Sequence, residues 1–285
     1  MRSKLRLLLA CVSATAWSTS AFADVLLFDS GGPDGKMAST SRPGAGGKIE
    51  TESADDFIAN TAYTINSATF TGLITGATPT VGQVVVEIYR VFPKDSTFPP
   101  SGNVPTRANS PSDIAFDSRD ATAGSLSFTR TTLNANFTAS NSVLNGINKI
   151  PNQTTGGEGA VTGTEVQFNV KFTTPFALPA DHYFFIPQVQ VTGGEFYWLS
   201  APKPIPGQFG FAPDFQSWVR NANLDPDWLR IGTDIVGGAT PPTFNASFSL
   251  TGLAAIPEPT PLLLSGVGGI AMLLVARIRG RLRRA

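Results

Sequence analysis

The sequence predicts an all-β fold, a β-sandwich of the jelly-roll type, over residues 24–255. Apolar and polar residues alternate in Glu165–Phe172 and in Thr243–Thr251, and a period of two is typical of strands with one buried face. Val84–Phe92 and Tyr183–Val191 are apolar on both faces, as buried central strands are. Glycines and prolines separate these segments and favour the tight turns of a sandwich.

The remaining elements follow from the same signals, taken in chain order. Further candidate strands are Val25–Phe28, Asp56–Ile58, Tyr63–Leu73, Ser125–Thr131 and Phe196–Ser200. Pro213–Ala222 predicts the one helix, because its apolar residues recur at helical spacing after a proline. Asp29–Gly47 and Pro93–Gly124 are rich in turn residues and are expected to form long loops, the second a surface lid or binding loop.

The charges are distributed unevenly along the chain. The whole sequence has 21 basic and 21 acidic residues, but residues 24–256 carry 13 basic and 20 acidic ones, a net charge of −7. The compensating positive charge lies in the two short ends. A nucleic-acid-binding domain needs a basic surface, so no nucleic-acid partner is expected. The hydrophobic content of 41% excludes a fully disordered chain.

The N-terminus predicts a secretory signal helix, residues 1–23. A basic start is followed by an apolar stretch from Leu7 to about Trp17, and Ala21-Phe22-Ala23 places small residues where signal peptidase requires them. Cys11 is the only cysteine in the sequence and would leave with this segment. The exported domain would then have no disulfide, so its core must stabilise it.

The C-terminus has three features in a fixed order. Pro257-Glu258-Pro259 precedes an apolar segment over about residues 260–278, which is just long enough for a transmembrane helix. A basic tail, residues 277–285, follows. Its arginines are Arg277, Arg279, Arg281, Arg283 and Arg284. By the positive-inside rule they keep the tail in the cytoplasm and the preceding domain outside.

This tail resembles the PEP-CTERM sorting domain of exported bacterial proteins, over residues 256–285. The resemblance implies an exosortase-type membrane protease as a partner, cleavage near the motif, and release to the cell surface or an exopolysaccharide matrix. Such tails also carry the label of an ice-binding protein C-terminal domain, and nothing in the sequence supports ice binding. Ala54-Asp55-Asp56-Phe57 is also similar to β-sandwich domains that often precede such tails, which supports the fold only.

Few residues in the sequence suggest catalysis. His182 is the only histidine and stands where a strand is expected to begin, so a structural role is the simpler interpretation. A glycoside hydrolase needs two converging carboxylates, and Glu87, Glu165 and Glu195 lie on or beside predicted strands without a spacing that selects a pair. No catalytic residue is therefore predicted, and no cofactor is required.

Calcium is the one metal that the sequence suggests. Carboxylates in glycine-rich or turn segments can supply its oxygen ligands, and the candidates are Asp29, Asp34, Asp55 and Asp56, with Asp225 and Asp227 as a further pair. The alternative is that these aspartates cap turns.

Two tryptophans suggest a sugar platform. Trp218 and Trp228 occur within a stretch rich in Asn, Asp and Arg, and flat rings beside polar groups are typical of sugar sites. The alternative is that both rings are packed inside the sandwich, since large aromatic side chains are mostly buried.

Taken together, these features predict an exported, non-enzymatic protein of the cell surface or extracellular matrix with a structural or adhesive role. The first alternative is a carbohydrate-binding module for matrix exopolysaccharide, with calcium assisting. The second is a glycoside hydrolase or lyase. Before processing, the C-terminal helix would anchor the chain in the membrane.

Overall fold

The structure is a computed structural model that describes residues 23–148, 150, 153–203 and 215–255. Several predicted features lie outside these residues. They are the signal segment with Ala21, the Pro257, Glu258 and Pro259 motif, the transmembrane segment, and Arg277, Arg279, Arg281, Arg283 and Arg284. Ala23 is the first described residue and is exposed. Within the described ranges, no helix has the length and apolar character that crossing a bilayer requires.

Fifteen strands and one π-helical turn are found in the described part of the chain. The strands are β1 (Val25–Asp29), β2 (Met37–Thr40), β3 (Thr51–Ala59), β4 (Tyr63–Ile74), β5 (Thr80–Arg90), β6 (Asp117–Asp120), β7 (Leu126–Ala139), β8 (Asn141–Val143), β9 (Val161–Leu178), β10 (Asp181–Thr192), β11 (Phe196–Ala201), β12 (Trp218–Asn221), β13 (Leu229–Arg230), β14 (Asn245–Ala246) and β15 (Phe248–Ala254). The π-helical turn is Ile231–Val236. The predicted all-β class is confirmed.

The strands form two sheets. The nine-stranded sheet runs β1-β15-β4-β11-β2-β8, with β9 on the other side of β4, β7 beside β9, and β14 beside β11. The six-stranded sheet runs β13-β12-β3-β10-β5-β6. Among the described pairs of strands, β2 and β8 are parallel and the others are antiparallel.

The main core lies between the two sheets. Phe168, Val170 and Phe172 alternate inward from β9, as their spacing predicts, and they meet inward residues of β5 and β10 from the other sheet. Phe185 of the six-stranded sheet stacks on Phe248 of the nine-stranded sheet with ring centroids 4.9 Å apart. These aromatic contacts bury large apolar areas, which is the main stabilising term in a chain without disulfides.

Three predictions of local structure were wrong. The helix expected over Pro213–Ala222 is, in its described part, a coil followed by strand β12. Trp218 pairs with Ala54 of β3, and this pairing satisfies the backbone that a helix would satisfy internally. The loop expected over Asp29–Gly47 contains β2, which pairs with β11 and β8. The loop expected over Pro93–Gly124 contains β6, which pairs with β5.

Candidate functional site

The segment between β5 and β6, residues 91–116, covers the part of the outer face of the six-stranded sheet around Tyr89 and Phe184, and we call it the covering segment. Val91 and Ala115 pack onto an apolar cluster of the sheet, and the Trp228 indole donates a hydrogen bond of 3.1 Å to the carbonyl oxygen of Ser112. Arg107, only 3% exposed, forms an ion pair with Asp113 in the same segment. The predicted loop Pro93–Gly124 is therefore tied down over the sheet along much of its length.

The two tryptophans of the proposed sugar platform lie beneath this covering segment. Trp218 and Trp228 are both 0% exposed and pack with Tyr89, Phe184 and Ile186. Stacking on a sugar requires an exposed ring face, so the assignment of these two residues as a platform was wrong. The sequence pattern misled because both rings pack in the apolar cluster between the sheet and the segment that covers it.

A polar network is buried under the same segment. The Arg220 guanidinium forms an ion pair with Glu52 and donates a hydrogen bond of 2.9 Å to the Tyr89 hydroxyl, which donates one of 3.0 Å to Glu52. Gln188 donates a hydrogen bond of 3.3 Å to Glu87 at the margin of this network. Burial raises the pKa of Glu87 to about 8, and the negative charge of Glu52 acts in the same direction.

The three glutamates considered as catalytic carboxylates for hydrolysis lie in different surroundings. Glu87 lies on β5 next to Glu52, Glu165 lies on β9 of the other sheet, and Glu195 forms ion pairs with Arg42 and Lys48. Among the described residues, no hydrogen bond links any two of Glu87, Glu165 and Glu195. The structure thus brings Glu87 together with Glu52, and sequence reasoning had not singled out Glu52.

His182 is at the start of β10, where the sequence placed it. Its Nε2 lies 2.8 Å from Oδ2 of Asp56, and its ring packs against Phe184 and Phe215. These contacts hold the ring against Asp56 of β3 and against Phe215, which precedes β12.

The aspartates considered for calcium are engaged separately. Asp29 accepts the backbone N–H of Gly31 at 2.8 Å, and Asp34 accepts the Ser200 hydroxyl at 2.5 Å. Asp55 and Asp56 point to opposite faces of β3. Asp55 accepts the backbone N–H of Ala246 from the other sheet, and burial, followed by the charge of Asp56, raises its pKa well above the usual range. Asp225 forms an ion pair with Arg220, and Asp227 lies 3.4 Å from Arg107. Within the described ranges, no three carboxylate or imidazole groups converge to hold a metal.

One open surface of the described residues is the outer side of the nine-stranded sheet, where β15, β4, β9 and β7 lie side by side. Their register places outward side chains in rows across the strands. The first row is Thr251, Ser67, Lys171 and Ser127, the second is Ser249, Thr69, Asn169 and Thr129, and Gln167 and Thr131 continue a third. We call these ten residues the polar face. All are exposed or half-buried, and Lys171 is the one charged member.

A hollow of about 460 Å³ opens on this surface. Ser67, Ser127, Thr129, Asn169 and Lys171 of the polar face are among its lining residues. Its volume falls within the range of about 300–1,000 Å³ that ligand sites occupy. The sequence contained a signal for this site, because Gln167, Asn169 and Lys171 are the polar half of the alternation in β9, but the alternation does not say which strands lie beside it.

No protein-family model, no curated protein and no solved structure matches this chain.

Proposed function

We propose that the chain is an exported, non-enzymatic protein of the cell surface or extracellular matrix, with a structural or adhesive role, sorted through its C-terminal tail. The observation that carries this proposal is the order of three features at the extreme C-terminus. Pro257-Glu258-Pro259, the apolar segment and the arginine cluster follow one another as in PEP-CTERM sorting domains. An exosortase-type protease and signal peptidase would process the two ends.

The strand order supports a jelly-roll type of β-sandwich as the exported unit. One sheet contains the run β1-β15-β4-β9, and the other contains β3-β10-β5-β6. Apart from the consecutive pair β5 and β6, strands that are neighbours in these runs come from distant parts of the sequence, as in a jelly roll of two antiparallel sheets. Such a fold buries its core without disulfides and suits a chain whose one cysteine lies in the signal segment.

The proposal is tested by following processing in cells that make an exosortase. The variant Pro257→Ala, Glu258→Ala, Pro259→Ala is compared with wild type and with Pro99→Ala, Pro100→Ala, which changes two exposed prolines in the domain. We expect wild type and the control to lose the tail and reach the surface fraction, and the motif variant to stay full length in the membrane. Mass measurement of each form reports both ends. Equal membrane retention of all three forms would refute the sorting proposal.

A further inference from the structure

The outer surfaces of the two sheets differ in how far they are exposed to solvent. The six-stranded sheet has the part of its outer face around Tyr89 and Trp228 covered by the segment that carries Ser112. The nine-stranded sheet leaves the polar face open at β15, β4, β9 and β7. A ligand that needs a broad sheet surface therefore has access at the polar face.

The polar face matches an uncharged ligand that is rich in hydroxyl groups. Nine of its ten side chains are Ser, Thr, Asn or Gln, in a domain whose residues 24–256 carry a net charge of −7. Hydroxyl and amide groups both donate and accept hydrogen bonds, as sugar hydroxyls do. A polyanion would meet one lysine, Lys171, in a field set by an acidic domain, so charge complementarity favours a neutral chain.

The geometry is repetitive and rigid. Neighbouring strands lie about 4.8 Å apart, so each row offers polar groups at regular intervals along a line, as an extended polysaccharide does. Threonine side chains have restricted χ1 rotation, which lowers the entropy lost on binding. The hydroxyls of Thr69 and Ser249 are already 2.6 Å apart and hold each other in place.

The amides at the centre of the polar face are available. Within the described residues, no hydrogen bond engages the side chain of Asn169 or Gln167, although both are half-buried. Asn169 also lines the hollow beside Thr129. We propose that the polar face is a binding site for an extended neutral polysaccharide, with Asn169 and Thr129 at its centre. This inference rests on the proposed function, because it names the ligand of an exported adhesive domain.

The test uses the full-length chain, purified in detergent. Microcrystalline cellulose, curdlan and mannan serve as neutral probes, and alginate serves as a polyanion. The variant Thr129→Ala, Asn169→Ala is compared with Thr80→Ala, Thr192→Ala, which removes two exposed hydroxyls from the six-stranded sheet. All of these side chains are at least partly exposed, and equal melting temperatures verify that both variants are folded.

We expect wild type and the control to bind at least one neutral probe, and the polar-face variant to bind it about tenfold more weakly, as the loss of two hydrogen bonds predicts. Binding to alginate alone, no binding to the neutral probes, or equal binding by both variants would overturn the inference. Failure here with normal tail processing in cells rejects the ligand and leaves the proposed function intact. Membrane retention together with normal binding rejects the sorting proposal instead.

Discussion

Arg220 of β12 and Glu52 of β3 form a buried ion pair between residues that are 168 positions apart in the sequence. The guanidinium also lies over the Trp228 ring, 4.4 Å from its centroid. Each charge is satisfied by several partners, which is the condition under which a buried pair is tolerated. The pair thereby fixes β12 against β3 and holds the covering segment, since Arg220 also donates a hydrogen bond of 3.1 Å to the Asp113 carbonyl.

Removing one partner of this pair is expected to destabilise the protein strongly. Arg220→Met leaves Glu52 buried without its counter-charge, at a cost of about 3–5 kcal/mol in the free energy of unfolding. The double variant Arg220→Met, Glu52→Leu removes both charges and is expected to lose less. Urea unfolding followed by tryptophan fluorescence measures both. A single variant as stable as wild type would show that the pair does not hold the strand.

The raised pKa of Glu87 predicts a dependence of stability on pH. The usual value is 4.5 and the folded value is about 8, so the folded state binds more protons than the unfolded state between these limits. The contribution of Glu87 to stability is then largest below the lower limit and falls as the pH rises towards the upper one. We expect Glu87→Gln, which mimics the neutral acid, to reduce this fall by an amount on the order of a kcal/mol.

The measurement is the urea midpoint of wild type and Glu87→Gln at about pH 5 and about pH 9, which lie near the two limits of the titration. Glu158→Gln is a suitable control, because this exposed glutamate accepts hydrogen bonds from the backbone N–H groups of Leu144 and Asn145 rather than from the network. An identical decline in wild type and Glu87→Gln would contradict the assignment.

Because both tryptophans are buried, we expect their replacement to lower the stability of the protein, which a role in sugar binding alone would not require. Trp218→Ala and Trp228→Ala are each expected to lose about 3–5 kcal/mol of stability, because each leaves a large cavity. The control Phe98→Ala removes a ring that is 61% exposed and should change stability by less than about 0.5 kcal/mol. Thermal unfolding of the three variants measures these losses. Tryptophan variants as stable as wild type would show that the two rings are not needed for packing.

The sequence predicted those strands whose buried and exposed faces can be recognised from the alternation of apolar and polar residues within the strand itself. In β9 the alternation of Phe168 and Val170 with Gln167 and Asn169 was enough to assign the inward and outward faces correctly. In the segment around Trp218 the apolar residues fitted a helical spacing over a few positions, and a four-residue strand is too short for periodicity to distinguish the two.

The candidate site depended on pairings that a single strand does not encode. The rows of the polar face exist because Asn169 lies opposite Thr69 on one side and Thr129 on the other. Likewise, nothing local marks Glu52 as the partner of Arg220, since contacts across the sheet fix that pairing. Long-range register is set by the packing of the whole core, so residue patterns identify candidate side chains but not their neighbours.

The variant Gly252→Ala tests whether the fold needs the close approach of β15 to β4. The register between these strands shifts at Thr251 and Gly252, and a Cβ at Gly252 would collide with the carbonyl oxygen of Thr64 and lie 2.9 Å from the Cα of Ile65. Backbone atoms cannot yield as a side chain can, so Gly252→Ala is expected to cost about 1–3 kcal/mol. At Gly32 a Cβ would meet nothing within 4 Å, and Gly32→Ala should be neutral or stabilising by up to about 1 kcal/mol. Equal unfolding midpoints for the two variants would show that β15 and β4 can move apart at this point without a loss of stability.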